Sequence, residues 1–212
     1  MTRCFSILLF TFLGAAVIGC AEKMDEDEVY QIGISACQRQ PAFVGTTGLN
    51  ASRSGFSTSE KRIKGLALVE FPANNADTAK TKIWQHPSWT KFGYMGSITT
   101  DENGNVYTVP VPVINVLDNP VKKQNIVYKV FSLSGEMKAL VDLSTDIKPG
   151  NTNPFGLLGI FYDCHGKKLY ASTVSGSTKE SEQGIIYSVD PADGKITDKL
   201  IGNDALALCV GG

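Results

Sequence analysis

Two stretches of this sequence repeat one another in the same order, and that repetition restricts the chain to a small set of folds. Phe92-Gly93-Tyr94-Met95-Gly96-Ser97-Ile98-Thr99-Thr100 matches Phe155-Gly156-Leu157-Leu158-Gly159-Ile160-Phe161-Tyr162-Asp163, 63 residues later. Gln124-Asn125-Ile126-Val127-Tyr128-Lys129-Val130 then matches Gln183-Gly184-Ile185-Ile186-Tyr187-Ser188-Val189, 59 residues later, which lands Gly135 on Gly194. Each unit reads as four strands. In one they are Gly96–Thr100, Val106–Pro110, Ile126–Ser132 and Met137–Leu143; in the next, Leu157–Tyr162, Lys168–Val174, Ile185–Asp190 and Ile196–Ile201. Turn chemistry separates them. Asn103-Gly104, Ser134-Gly135 and Asp193-Gly194 supply the positive φ that tight hairpins require. The first strands are apolar almost throughout, while the third alternate apolar and polar residues. No helical periodicity follows residue 20.

A four-stranded unit of about 60 residues with turns at fixed places is the pattern of a β-propeller blade. The expected fold class is therefore all-β, a propeller of antiparallel four-stranded blades with the apolar first strand innermost. A weaker unit precedes these two: Ala42–Thr47, Gly55–Ser59, Gly65–Phe71 and Thr81–Gln85. A further innermost strand starts at Asp204-Ala205-Leu206-Ala207-Leu208-Cys209-Val210. The blades then span approximately 41–88, 89–149 and 150–202, with the start of another at 203–212. Propellers close with four to eight blades, and a lone innermost strand leaves a free edge. The expectation is a C-terminally truncated chain whose parent has about six blades; the alternative is a natural half-ring that dimerises.

The N-terminus carries a different message. Arg3 precedes an uncharged run from Cys4 to Cys20 whose centre is Phe5-Ser6-Ile7-Leu8-Leu9-Phe10-Thr11-Phe12-Leu13. That run has the proportions of a secretory signal and is short for a bilayer span of roughly 20 residues. It ends in Val17-Ile18-Gly19-Cys20, which resembles the lipobox of bacterial lipoproteins. The resemblance implies a signal peptide over 1–19 and lipidation of Cys20, with an ordinary cleaved signal and a retained transmembrane helix as alternatives. Two or more acyl chains anchor a protein stably to a membrane without spanning it. Residues 20–40 then read as the lipidated Cys and an acidic tether, since five of the seven residues Glu22 to Glu28 are acidic. Such a run solvates a spacer, and it also resembles the surface-export tags of some Gram-negative lineages. Ala21 stands where an inner-membrane retention signal has Asp. The expected place is the cell envelope, at the outer membrane or cell surface.

Charge and cysteine content narrow the partners. With 20 Lys+Arg against 21 Asp+Glu the net charge is −1, which argues against a nucleic-acid binder. Once Cys4 and Cys20 are set aside, Cys37, Cys164 and Cys209 remain. At most one disulfide can form among them, and no C-x-x-C pair supports a zinc or thioredoxin-type site. The expectation is that they are small buried hydrophobes.

The blade grammar, an apolar strand, a turn, an apolar-Tyr strand, then Ile-x-Tyr-x-Val and Asp-Gly-Lys, resembles the six-bladed calcium-dependent phosphotriesterase-like superfamily. This group holds the gluconolactonases and senescence-marker proteins and, more distantly, the NHL and yellow proteins. The resemblance covers roughly residues 40–212. It implies an axial divalent metal such as Ca²⁺, held by a Glu, an Asn and an Asp at blade entries. Only Asp204 matches, in Asn203-Asp204-Ala205; Phe155 stands where the family has Asn, and no Glu stands near Ala42–Thr47.

Other candidates have plainer readings. Asp101-Glu102-Asn103-Gly104-Asn105 places oxygens like a calcium loop but lacks the distal Glu, and reads as a hairpin turn. His86 and His165 lack a nucleophile elbow and read as surface residues. Trp84 and Trp89 either line a groove or pack between blades. Asn50-Ala51-Ser52 is a sequon that a bacterial lipoprotein would leave unmodified. The sequence thus predicts a lipid-anchored binding or scaffold module with an unknown ligand, no catalytic residue and no assigned metal beyond the candidate Asp204. The alternative is a metal-dependent lactonase or related hydrolase.

Overall fold

The computed structural model describes residues 37–58, 63–73, 81–111, 119–147 and 155–208. The expected signal peptide over 1–19, Cys20, residues 20–36 of the expected tether and Cys209 lie outside them. Eleven strands form three antiparallel sheets, each a meander in chain order. The first sheet holds β1 (Ser54–Ser57), β2 (Ala67–Glu70) and β3 (Lys82–Trp84). The second holds β4 (Met95–Thr100), β5 (Val106–Pro110), β6 (Ile126–Val130) and β7 (Met137–Asp142). The third holds β8 (Leu157–Asp163), β9 (Lys168–Thr173), β10 (Ile185–Val189) and β11 (Ile196–Ile201). Among the described residues the only helical elements are short 3₁₀ turns. None is long and apolar enough to cross a membrane.

Alternation along the strands places the second sheet between two cores. On β5, Val106 joins one apolar cluster while Tyr107 and Val109 join the other; on β6, Tyr128 and Val130 face one way and Val127 the other. The first cluster adds Phe43, Leu66, Leu68 and Trp89 from the N-terminal side. The second adds Leu157, Ile160, Tyr162, Leu169, Ala171, Tyr187 and Val189 from the third sheet. A strand covered on both faces must be apolar on both, which is why all five residues of β5 are buried. The outermost strands differ: most of β7 and nearly all of β11 meet solvent.

The repeat is visible in the turns. Phe131 N donates to Glu136 O and Gly135 N to Phe131 O; Asp190 N donates to Lys195 O and Gly194 N to Asp190 O. Gly135 and Gly194 both hold positive φ, +71° and +78°, where a side chain is strained. Each hairpin also latches onto chain that precedes it. Phe43 N donates to Ser132 O at 2.9 Å, and Trp89 Nε1 to Gly135 O at 2.8 Å. One unit later, Lys129 Nζ donates to Pro191 O at 2.7 Å. Burial holds the Lys129 amine below its usual range, while Asp101 and Asp190 oppose the shift.

Two expected strands are not formed. Ala42–Thr46 is a 3₁₀ turn. Its start is fixed by Pro41, which lacks an N–H, and its end by Thr46 and Thr47, whose hydroxyls donate to Phe43 O and Val44 O. Adjacent Phe43 and Val44 are both buried, which a strand of period two would put on opposite faces. The first sheet therefore has three strands. Residues 204–208 are likewise not a strand: Gly202 N and Asn203 N both donate to Gly184 O and turn the chain back on itself.

A covalent link joins distant parts. Cys37 and Cys164 form a disulfide with Cα atoms 5.9 Å apart and a sequence separation of 127. Both half-cystines pack against the core between the second and third sheets, so the expectation of unpaired buried thiols is corrected for these two.

Glu70 anchors the start of the first sheet. It accepts from Asn50 N (3.0 Å), Arg53 Nη2 (3.0 Å) and Lys82 Nζ (3.4 Å). The Asn50 N–H first, then Arg53 and Lys82, hold its carboxyl below the ordinary glutamate value, against the opposing effect of burial. A lowered folded value means the stabilisation is full above the unfolded value and is lost as pH falls through the folded one. Glu70→Gln is therefore expected to destabilise the protein at pH 7, with the difference from wild type shrinking by pH 3. Urea midpoints at the two pH values check this; a constant difference would exclude the ionised carboxylate as its source.

Candidate functional site

A cleft of about 700 Å³ borders the third sheet. Phe155, Val174 and Leu206 contribute apolar surface to its lining, and Thr178, Lys179, Glu180 and Asp204 polar groups. The turn after β11 positions Asp204, whose Oδ1 accepts from Ser177 Oγ at 2.5 Å and from Gly184 N at 2.9 Å. Ser177 Oγ accepts in turn from Gln183 N at 2.8 Å. A Cβ on Gly184 would strike Asn203 O, Thr173 O and Asp204 Oδ1, so only glycine lets the 174–184 loop close against Asp204.

This arrangement does not fit the calcium centre that the resemblance implies. Asp204 Oδ1 is engaged by an O–H and an N–H, and Phe155 offers no oxygen where the family has an amide. Among the described residues no three His, Cys, Asp or Glu side chains converge to hold a metal ion. A hard cation wants six or more oxygens; here one carboxylate braces a loop. A cleft lined by apolar side chains together with carboxylates and a lysine suits recognition of a ligand by shape and a few polar contacts.

The other residues singled out by sequence lie apart from the cleft. Asp101 organises the β4–β5 hairpin: Oδ1 accepts from Asn103 N and Asn105 N, and Oδ2 from Asn105 Nδ2 and the Tyr107 hydroxyl at 2.8 Å. With its oxygens so occupied, the loop is a turn. Asp163 does the same one unit later, accepting from His165 N and Gly166 N. Burial first, then the charge and hydrogen bond of Asp101, push the Tyr107 phenol above its usual range, so it stays a donor.

His86 is not a plain surface residue. Its Nδ1 accepts from Ser88 N (3.1 Å) and lies 2.7 Å from Ser88 Oγ. An acceptor Nδ1 carries no proton, so the Ser88 hydroxyl donates to it and Nε2 holds the ring hydrogen. Ser88 Oγ also accepts from Met137 N at 2.9 Å and is buried. Bonded to both the His86 ring and the Met137 N–H, it clasps the segment before β4 to the start of β7. His165 is exposed in its turn. Trp84 and Trp89 pack edge to face with centroids 5.3 Å apart, in a cluster with Phe43 and Phe56. They pack rather than line a groove. In the sequon, Asn50 Oδ1 accepts from Ser52 N and Ser52 Oγ.

Sequence reasoning missed Ser177, Lys179 and Glu180. The available signal was the length of the loop between the second and third strands of the last unit, with its polar run Ser175-Gly176-Ser177-Thr178. Comparison with family models, with curated proteins and with solved structures found no match.

Proposed function

We propose that this chain is a lipoprotein, anchored through Cys20 at the outer face of a bacterial envelope membrane, whose sheets are blades of a β-propeller serving as a binding or scaffold module. The observation that carries the architectural part is the contact between equivalent strands. Ser97 Oγ on β4 donates to Leu158 O on β8 at 2.6 Å, and Tyr162 N on β8 donates to Thr99 Oγ1 on β4 at 3.2 Å. The second bond joins residues 63 apart, the period of the repeat. First strands thus meet first strands while β7 and β11 turn outward, the relation that blades have around an axis.

The Cys37–Cys164 bridge supports a place outside the cytoplasm, where disulfides form and persist. The cleft beside Phe155 and Asp204 lies where the third sheet's first strand begins, and connecting loops on a rigid sheet scaffold are where binding residues concentrate. The cleft supports one class of ligand: a small molecule or protein loop with an apolar part and a cationic or hydrogen-bonding end to meet Glu180.

Cys20→Ala tests the anchor. The variant is expected to leave the detergent phase in a Triton X-114 partition, either uncleaved or as a water-soluble chain, and to lose incorporation of labelled palmitate. A signal-free Cys20→Ala chain that still partitions into detergent would defeat the lipoprotein reading.

A further inference from the structure

We propose that residues 175–183 are a flap on the cleft beside the third sheet, latched by Asp204, and that release of this latch opens the cleft to its ligand. The inference rests on the reading of that cleft as a binding site. Its starting point is composition. Ser175-Gly176-Ser177-Thr178-Lys179-Glu180-Ser181-Glu182-Gln183 holds no apolar side chain, so hydrogen bonds rather than core packing keep it in place. Residues 178–183 are all exposed. The strands it joins are built differently: Leu169 and Ala171 on β9, and Tyr187 and Val189 on β10, are buried in the core between the second and third sheets. A polar segment between two core strands opens locally at a far lower cost than the sheet unfolds.

The segment's own bonds let it move as one piece. Ser177 N donates to Val174 O at 3.1 Å, Thr178 N to Ser181 O at 2.9 Å, Glu180 N to Thr178 Oγ1 at 3.2 Å and Gln183 N to Ser177 Oγ at 2.8 Å. Two of the bonds that join it to the turn after β11 end on a single atom, Asp204 Oδ1, which accepts from Ser177 Oγ and from Gly184 N. One carboxylate oxygen thus holds both the body of the segment and its C-terminal root. Gly176, at φ +87°, and Gly184 stand near the two ends, and glycine readily absorbs the backbone rotation that a hinge needs. The lining of the cleft is divided across this latch: Ser177, Thr178, Lys179 and Glu180 ride on the segment, while Phe155 and Leu206 do not. Motion of the segment therefore changes the width of the cleft and carries the Glu180 carboxylate and the Lys179 amine toward or away from a ligand. Asp204 is a positioning residue, which shapes the cleft through the segment it holds, and such closures commonly gate entry and release.

The test uses the mature full chain in mild detergent, with no ligand added. Native-state amide exchange in low urea separates local from global opening. The Gly184 N–H is expected to exchange at a rate indifferent to urea, and the β10 amides at a rate that rises with it. Equal urea dependence would show that the segment opens only with the whole sheet, and overturns the flap. This arm needs no variant, so it decides even where a substitution prevents folding. Asp204→Ala removes the acceptor of both donors, and is expected to speed cleavage after Glu180 by a glutamate-specific protease at least about tenfold, with a smaller rise in Ser177→Ala. Asp204→Asn keeps an acceptor oxygen and should stay closer to wild type than either. Cleavage after Glu102, in the β4–β5 hairpin, should not change. Wild-type rates after Glu180 in both Asp204→Ala and Ser177→Ala overturn the latch. An equal rise after Glu102 also overturns it, since Asp204 would then be holding the fold as a whole. Neither readout uses a ligand or the anchor at Cys20, so failure of the flap leaves the cleft as a rigid site, and failure of the binding reading leaves both rates as they are.

Discussion

Reducing the Cys37–Cys164 bridge is expected to lower the free energy of unfolding by about 5 kcal/mol, the chain-entropy value for a closed loop of this size. The bridge spans 127 residues, so the oxidised unfolded chain is a large ring with far fewer conformations than the open chain. Small domains hold only about 5–15 kcal/mol in total, so the reduced protein should be close to unfolding at 37 °C. Urea denaturation with and without reductant measures the difference, and a Cys37→Ser, Cys164→Ser double variant should match the reduced wild type. A change below about 1 kcal/mol would mean that the two cysteines are not joined in the folded protein.

Trp89→Ala is expected to cost about 3–5 kcal/mol, the range for deleting a buried large aromatic. Trp89 is fully buried, and its ring meets Trp84, Phe43 and Phe56 at centroid distances of 5.3, 5.9 and 6.0 Å. Its Nε1 also donates to Gly135 O across to the second sheet's hairpin, so truncation leaves both a cavity and a carbonyl without its donor. Its backbone is equally constrained: a Cβ on Gly65 would strike Trp89 O. Trp89→Phe keeps most of the ring and removes the N–H, and should cost about 1–2 kcal/mol more than its lost area alone. Unfolding curves followed by far-UV circular dichroism separate the two variants. Equal losses for Ala and Phe would show that the hydrogen bond, not the packing, dominates.

The second and third sheets could be read from sequence because their signals are local. Asn103-Gly104, Ser134-Gly135 and Asp193-Gly194 fix the hairpins, and alternation in Ile126–Val130 and Ile185–Val189 fixes which residues face a core. Their strand bounds fall within a residue or two of those expected. The first sheet was harder, since adjacent apolar residues at Phe43 and Val44 fit a strand by composition and a 3₁₀ turn by burial, and only tertiary packing decides. Phe92 and Phe155 show the limit of the repeat. Both precede the first strand of their sheet, yet Phe92 packs on Tyr128 at 4.8 Å while Phe155 is 41% exposed at the cleft. The disulfide was not legible, because three cysteines allow three pairings and spacing selects none. Nor was the role of Asp204, whose partners Ser177 and Gly184 are brought to it by the turn after β11.

The position of that bridge also determines how the molecule would carry a mechanical load. Tension applied to the chain before Cys37 and resisted beyond Cys164 passes through the sulfur link directly into the β8–β9 hairpin. The segment between two cysteines 127 positions apart, which includes the whole of the first two sheets, is left slack. Only the part of the chain after Cys164 can be drawn out while the bond is intact. Once it is broken, the same pull can release roughly a further 400 Å of contour, at about 3.3–3.6 Å per residue. A domain wired in this way is short and stiff under load when oxidised, and long and extensible when reduced.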